Sequence, residues 1–195
     1  MLADGIANLM QSLDFARDIG ADLVNLHLYM DEGPEGYVCS LEPVIRRAVS
    51  LGLRLSIENT PHTTPQDFNR VFSQLQQHER ASPATVGMCL DIGHAGLCAE
   101  HHNDYVGYLD ALSAEVPIVH LHVHENYGDR DSHLTLFTGP SRDDDSQVRA
   151  LLDRLQRRSY SGAMILEQWP NPPHLLLEAA EKLRHLLGLV ETNGF

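Results

Sequence analysis

The chain has 195 residues, of which 43% are hydrophobic and 21% are charged, and its 14 basic and 27 acidic residues give a formal net charge of −13. This composition is typical of a globular domain with a sizeable core. The negative charge opposes non-specific binding to nucleic acid or to anionic membranes. No apolar run reaches the length of a membrane span, and the N-terminus shows no export signal. The three cysteines lack zinc-type spacing, and we expect reduced thiols in a cytoplasmic protein with one domain over residues 1–195.

Apolar periodicity and turn residues predict that helices and strands alternate along the chain. The first eighteen residues predict a helix that Gly20 stops. The segment 64–67, TPQD, is a typical helix start with a capping hydroxyl and a proline in the first turn, and its helix is predicted to reach His78. The predicted strands are 22–28, 53–58, 86–91, 118–124 and 162–167, and the other predicted helices are 41–51, 103–115, 146–158 and 174–187. The polar stretch 125–145 is predicted to be the one long loop, a length that is usually functional or disordered.

The strands are apolar at nearly every position, as in a parallel sheet that is covered on both faces. Each strand ends in a metal-capable or acid–base side chain, and these ends lie 31, 33, 31 and 45 residues apart: His27, Glu58, Asp91, His122 and Glu167. The pattern predicts an α/β fold of the (β/α)8 TIM-barrel type, in which function gathers at the carboxyl ends of the strands. An eight-unit barrel needs roughly 250 residues. We therefore expect about five C-terminal βα units, with the N-terminal strands missing through truncation, a late start codon or divergence.

Four of these strand ends form a candidate metal site. Glu58, Asp91, His122 and Glu167 offer three carboxylates and one imidazole. This ligand set suits Mn²⁺, Mg²⁺, Co²⁺ or Zn²⁺ better than a soft metal. A single acid at a strand end can instead cap the following helix. Four ends in phase favour a site at the barrel mouth.

Four further residues are candidates for a second metal or for substrate contacts. His27 closes the first strand, in phase with the other strand ends. His94 follows Asp91 by three residues, so a turn at Gly93 could return its ring to the mouth; local capping is the alternative. Asp131 and His133 lie two residues apart in the long loop and are either ligands or part of a solvated loop.

The segment HLHVHEN places histidines at 120, 122 and 124, which share one face of a strand because side chains alternate with a period of two. His122 is the best ligand candidate of the three. We expect His120 to be a hydrogen-bonded core histidine. His124 and Glu125 are candidates for groups that orient the ligands.

The segments SIENT, CLDIGHAG, HLHVHENYGDRDSH and MILEQW resemble the xylose isomerase-like TIM-barrel superfamily of sugar-phosphate isomerases and epimerases, inosose dehydratases and type-four apurinic endonucleases. The resemblance covers the whole chain. The chain corresponds to about the last five of the eight strands in a complete barrel of this superfamily. It implies that Glu58, Asp91, His122 and Glu167 bind one divalent ion. It also implies that Glu58 and Glu167 move a proton next to a carbonyl through a metal-stabilised enediolate. The implied enzyme is an isomerase or epimerase of carbohydrate metabolism with a small sugar, sugar-phosphate or hydroxy-carbonyl substrate; a homo-oligomer is left open.

The resemblance leaves two alternatives. The first is a metal phosphodiesterase like the apurinic endonucleases, in which eight residues would share three metals: His27, Glu58, Asp91, His94, His122, Asp131, His133 and Glu167. The net charge of −13 disfavours this interpretation, as do departures from the nuclease pattern in CLDIGHAG and HVHEN. The second is a catalytically incompetent barrel fragment, because missing strands would leave the edge of strand 22–28 unpaired. The number of metal ions bound per chain distinguishes the isomerase or epimerase from the phosphodiesterase.

Overall fold

A computed structural model describes residues 3–77, 81–168 and 172–188 of the chain. The predicted alternation of helices and strands is confirmed. The strands are β1 (Leu23–His27), β2 (Arg54–Glu58), β3 (Val86–Asp91), β4 (Ile118–Val123) and β5 (Ala163–Leu166). The α-helices are α1 (Ala3–Asp18), α2 (Gly33–Leu51), α3 (Pro65–Leu75), α4 (Ile92–Leu97), α5 (Tyr105–Ala111), α6 (Ser146–Arg157) and α7 (Pro173–Leu186), with short 3₁₀ helices at Ala99–His101 and Pro140–Arg142.

All five strands are parallel and are hydrogen-bonded in sequence order, from β1 to β5. They form a half-barrel with helices, which confirms the predicted fold class with five βα units present. Among the described strands, β1 and β5 each pair with a single neighbour. None of the helices in the described ranges combines the length and hydropathy that are needed to cross a bilayer.

The two faces of the sheet differ because side chains alternate along each strand. On β2, Leu55 and Ile57 are buried in the hydrophobic core that the strands share with the helices. Ser56 and Glu58 point to the opposite side, which we call the inner face. There the hydroxyl of Ser56 donates a hydrogen bond to the side-chain oxygen of Asn25 on β1. Polar strand residues therefore gather on the inner face.

Helix α3 begins as predicted, whereas the boundaries of two other predicted helices were wrong. Thr64 and Asp67 form a reciprocal capping box at the start of α3; the predicted end at His78 lies outside the described residues. Helix α2 begins at Gly33 rather than at residue 41, because Tyr37 and Val38 extend its buried stripe by a full turn.

The region predicted as one helix over 103–115 contains only α5, which is seven residues long and is capped by Asp104. The side chain of Asp104 accepts a hydrogen bond of 2.7 Å from the Gly107 amide. Helix α4 had no counterpart in the prediction, since a six-residue segment with two glycines carries little helical periodicity.

Candidate metal centre

The four predicted ligands lie close together at the mouth of the half-barrel. They are not all paired with one another in the strand register. Glu58 pairs with the residue two positions before Asp91. Asp91 pairs with His122, and His122 pairs with the residue two positions before Glu167. Barrel strands are tilted relative to the barrel axis. The two-residue steps compensate for that tilt and bring the four side chains together.

We call Glu58, Asp91, His122 and Glu167 the carboxylate–histidine cluster; one ligand atom from each lies within 4.8 Å of the others. Nδ1 of His122 is 2.9 Å from Oε2 of Glu167, 3.3 Å from Oε1 of Glu58 and 3.8 Å from Oδ2 of Asp91. This nitrogen is buried, yet it is aligned for a hydrogen bond with no group in the described part of the chain. A buried nitrogen that faces three carboxylates without a hydrogen bond fits a divalent cation bound between them.

The charges in this cluster shift the pKa values of its members. Burial opposes the ionised form of Glu58, but the neighbouring rings of His122 and His94 outweigh burial and lower the pKa of its carboxyl. Burial likewise opposes protonation of His122, and the nearby carboxylates outweigh it and raise the pKa of this imidazole. Metal ligands must be deprotonated. A metal that binds here therefore competes with protonation of His122.

Asp91 serves both as a helix cap and as a member of the cluster. Its Oδ1 accepts a hydrogen bond of 2.8 Å from the His94 amide at the start of α4. Its Oδ2 accepts one of 3.2 Å from Nε2 of His124. The capping interpretation and the metal-site interpretation of this acid are thus compatible, and the cap orients the carboxylate.

Two asparagines that the sequence analysis did not select hold the acids of the cluster in place. The side chain of Asn59 donates to the backbone oxygen of Asp91 at 2.9 Å and accepts from the Asp91 amide at 2.8 Å. The side chain of Asn25 donates to Oε2 of Glu58. The available sequence signal was position: Asn59 directly follows a predicted ligand, and Asn25 lies two residues before His27 on the same strand face.

Three of the four residues that were predicted for a second metal or for substrate come together as a rim triad of His94, Asp131 and His133. Oδ2 of Asp131 accepts hydrogen bonds from Nε2 of His94 at 3.2 Å and from Nε2 of His133 at 3.1 Å. Nδ1 of His94 also donates to the backbone oxygen of Asn59 at 2.9 Å. Burial lowers the pKa of His94, but Glu58, Asp91 and Asp131 outweigh it and raise this pKa to about 10. His94 is therefore charged at neutral pH when no metal is bound.

His27 stands apart from this triad. Its Nε2 is 3.7 Å from Oε1 of Glu58, and 46% of its side chain is exposed. It lines a groove of about 540 Å³ at the mouth, together with Tyr29, Asp31, Thr60, His62 and His94. No Lys or Arg is among the described residues that line this groove.

The remaining predicted residues have different positions. His124 is 1% exposed, and its ring stacks on that of His133 at 4.0 Å, so it supports both Asp91 and the rim triad. Glu125 instead organises the long loop, because its carboxylate accepts hydrogen bonds of 3.0 Å from the amides of Gly139 and Ser141. His120 is partly buried, and its side chain makes no hydrogen bond with a described residue. The expectation of a hydrogen-bonded core histidine was wrong.

Residues 2–186 match the model of the family described as xylose isomerase-like TIM barrel. The chain belongs to this family, and the resemblance found in the sequence is confirmed. An uncharacterized protein of Methanocaldococcus jannaschii is 23% identical over 145 residues, which cover 71% of this chain and 45% of that protein. The chain thus spans less than half the length of this curated relative.

Solved structures share the fold. A D-tagatose 3-epimerase-like protein superposes with a TM-score of 0.74 at 20% identity, over 95% of this chain and 69% of the other. A Thermus thermophilus protein soaked with ZnCl₂ gives a TM-score of 0.65 at 25% identity, over 96% of this chain and 70% of the other. These proteins have the same barrel architecture as the five strands described above.

Proposed function

We propose that this chain carries the active site of a divalent-metal-dependent isomerase or epimerase that acts on a small sugar or hydroxy-carbonyl compound. One observation carries the proposal: the buried Nδ1 of His122 lies 2.9–3.8 Å from the carboxylates of Glu58, Asp91 and Glu167 without an aligned hydrogen bond to any of them. The family match and the structural likeness to a D-tagatose 3-epimerase-like protein support it.

Glu58, Asp91, His122 and Glu167 would hold the ion, with Mn²⁺, Mg²⁺, Co²⁺ and Zn²⁺ as the candidates. A bound divalent ion supplies positive charge near the carbonyl oxygen, where negative charge develops when a neighbouring C–H proton leaves. Glu58 and Glu167 are the acid–base pair. One carboxylate accepts the proton next to the carbonyl, and the other group donates a proton to the neighbouring carbon or to the opposite face, so the reaction neither gains nor loses a proton overall.

The two glutamates differ in a way that suits these roles. The side chain of Glu58 is 3% exposed and that of Glu167 is 41% exposed. Asn25 holds Glu58 in a fixed orientation through its side-chain amide. Glu167 reaches the solvent side of the mouth, where a proton can exchange.

We propose that the substrate is a neutral sugar rather than a phosphate ester. Three carboxylates and one divalent ion leave one negative charge in the cluster. At the rim the charge of His94 offsets that of Asp131, and Asp31 adds a further negative charge. A cleft of one sign repels ligands of the same sign. The lining of the groove offers no Lys or Arg to offset that repulsion among its described residues.

The test is exchange of the substrate proton next to the carbonyl with solvent, followed by NMR in D₂O with the Mn²⁺-loaded full chain and D-tagatose or D-fructose as probes. Glu167→Gln is expected to abolish exchange and to leave the fold intact, since the change removes a proton carrier and one ligand charge. Glu178→Gln is the matched control, because Glu178 lies exposed on α7. Wild-type-like exchange in Glu167→Gln, or none in the wild type, would contradict the proposal.

A second candidate function is a phosphodiesterase of the apurinic-endonuclease type. The contacts of His94 and His133 with Asp131 favour it, because these three residues could hold a further ion. Mn²⁺ stoichiometry measured by equilibrium dialysis decides between the two: about one ion per chain supports the isomerase, and about three support the phosphodiesterase.

The chain can also be a barrel fragment without activity. A monomer that melts cooperatively and binds Mn²⁺ tightly would argue against this, whereas aggregation through the single-paired strands β1 and β5 would favour it. Analytical ultracentrifugation and calorimetry of the same sample provide both measurements.

A further inference from the structure

A second set of metal-capable side chains lies on the inner face, one row below the carboxylate–histidine cluster. Cys89 on β3 pairs with His120 on β4 in the strand register. Cys89 precedes Asp91 by two residues, and His120 precedes His122 by two. Because side chains alternate along a strand, all four point to the same face. The lower pair therefore lies directly beneath two residues of the cluster.

The lower pair and His122 are close enough to share an ion. One ligand atom from each of Cys89, His120 and His122 lies within 4.8 Å of the other two. In a tetrahedral zinc site, nitrogen and sulfur ligands are about 3.3–3.8 Å apart. Side-chain rotation that moves the ligand atoms by about 1 Å would close the set around an ion at such bond lengths.

Neither side chain of the lower pair has another evident role. The thiol of Cys89 is fully buried and forms no disulfide. The ring of His120 makes its contact with the ring of His122, at 5.2 Å between centroids, and no hydrogen bond with any residue in the described ranges. The thiol of Cys89 is hydrogen-bonded to the backbone of His122, and an imidazole beside such a buried thiol is chemically suited to metal binding.

We propose that Cys89, His120 and His122, the thiol triad, form a second metal site for a soft or borderline cation such as Co²⁺, Zn²⁺ or Cd²⁺. Binding replaces the S–H bond of Cys89 with a sulfur–metal bond and releases one proton to solvent, and no oxidation state changes. Thiolate and imidazole select softer ions, whereas the carboxylate–histidine cluster selects harder ones. The site is distinct in chemistry from the proposed catalytic metal centre.

The two sites share His122, so an ion in the thiol triad and an ion in the carboxylate–histidine cluster would both contact its imidazole.

The test is Co²⁺ titration of the full chain, with the thiolate-to-cobalt charge-transfer band in the near ultraviolet as the readout. The band is expected in the wild type and is expected to be lost in Cys89→Ser. Cys98→Ser is the matched control, since Cys98 is also buried but belongs to the core that packs against the helices. Glu167→Gln should retain the band, because Glu167 lies outside the thiol triad.

No band in the wild type, or an unchanged band in Cys89→Ser, would overturn the proposal. If Cys89→Ser does not melt cooperatively, His120→Gln decides: a loss of Co²⁺ affinity of about tenfold or more at this band supports the site, and unchanged affinity refutes it. Mn²⁺ binding and proton exchange do not use Cys89, so failure of the proposed function and failure of the thiol triad are distinguishable.

Discussion

Gly93 lies where helix α4 passes against the ring of His124, and a side chain at this position has no room. A Cβ on Gly93 would lie 2.0 Å from Cε1 of His124 and 2.5 Å from both ring nitrogens. The ring is buried, stacks on His133 and donates a hydrogen bond to Asp91. Gly93→Ala therefore forces either the ring or the helix to move, and both movements disturb Asp91.

The cost can be worked from these contacts. Overpacking of a dense site costs roughly 1–3 kcal/mol, and the lost hydrogen bond from His124 to Asp91 adds about 1 kcal/mol. We expect Gly93→Ala to lower the free energy of unfolding by about 2–4 kcal/mol, which corresponds to a fall in Tm of roughly 4–16 °C for a chain of this size. Loss of the group that orients a ligand should also weaken Mn²⁺ binding by about tenfold or more.

Gly96→Ala is the matched control in the same helix. A Cβ there would meet only Oδ1 of Asn126, at an ordinary contact distance of 3.9 Å. Alanine is favoured over glycine inside a helix by about 1 kcal/mol, so Gly96→Ala should melt at or above the wild-type temperature. Calorimetry and Mn²⁺ titration of the three proteins provide the comparison. A steric conflict at Gly93 is refuted if Gly93→Ala melts like Gly96→Ala and binds Mn²⁺ like the wild type.

Three further predictions concern the metal and the substrate. Because carboxylates raise the pKa of His122, the Kd for Mn²⁺ should fall about tenfold for each unit that the pH rises toward that pKa; pH-independent affinity would contradict the displacement of a proton. Asn59→Ala and Asn69→Ala each remove two side-chain hydrogen bonds to the backbone, so each should lose about 1–3 kcal/mol of stability. Only Asn59→Ala should weaken Mn²⁺ binding, and equal weakening in both would show that Asn59 has no special role. Calorimetric titration of the Mn²⁺-loaded chain should show D-fructose binding at least about tenfold more tightly than D-fructose 6-phosphate, with inorganic phosphate as a control for chelation; tighter binding of the phosphate ester would refute a neutral substrate.

The fold could be predicted from the sequence because most elements carry a local signal. The capping box at Thr64 and the continuous apolar run of β3 both lie within a few residues of chain. The start of α2 was missed because Pro34, Gly36 and Pro43 dilute the helical pattern. Its stability comes from packing of the buried stripe, which depends on the rest of the fold.

The candidate site was predictable to the extent that it depends on strand ends. Parallel strands place their carboxyl ends at one edge of the sheet. Glu58 and Asp91 each end a predicted strand, so the sequence predicts that they lie close together. The support from Asn59 was not predictable in this way, since its two hydrogen bonds run to the backbone of another strand. Contacts made by loop residues, such as that of His133 with Asp131, depend on how residues 125–145 fold back over the mouth.

The proposed ion would receive one ligand from each of the strands β2, β3 and β4, one from Glu167 directly after β5, and none from β1. Metal binding at a hundred times Kd stabilises the bound form by about 2.7 kcal/mol, and this energy is available only while those four strands remain together. Openings that separate any of them are therefore suppressed, whereas release of β1 with α1 removes no ligand and only the support that Asn25 gives to Glu58. With the ion bound, the chain would have two zones of different cooperativity. Amide hydrogen exchange should slow on metal addition in β2 to β5, while the amides of β1 keep their original rates.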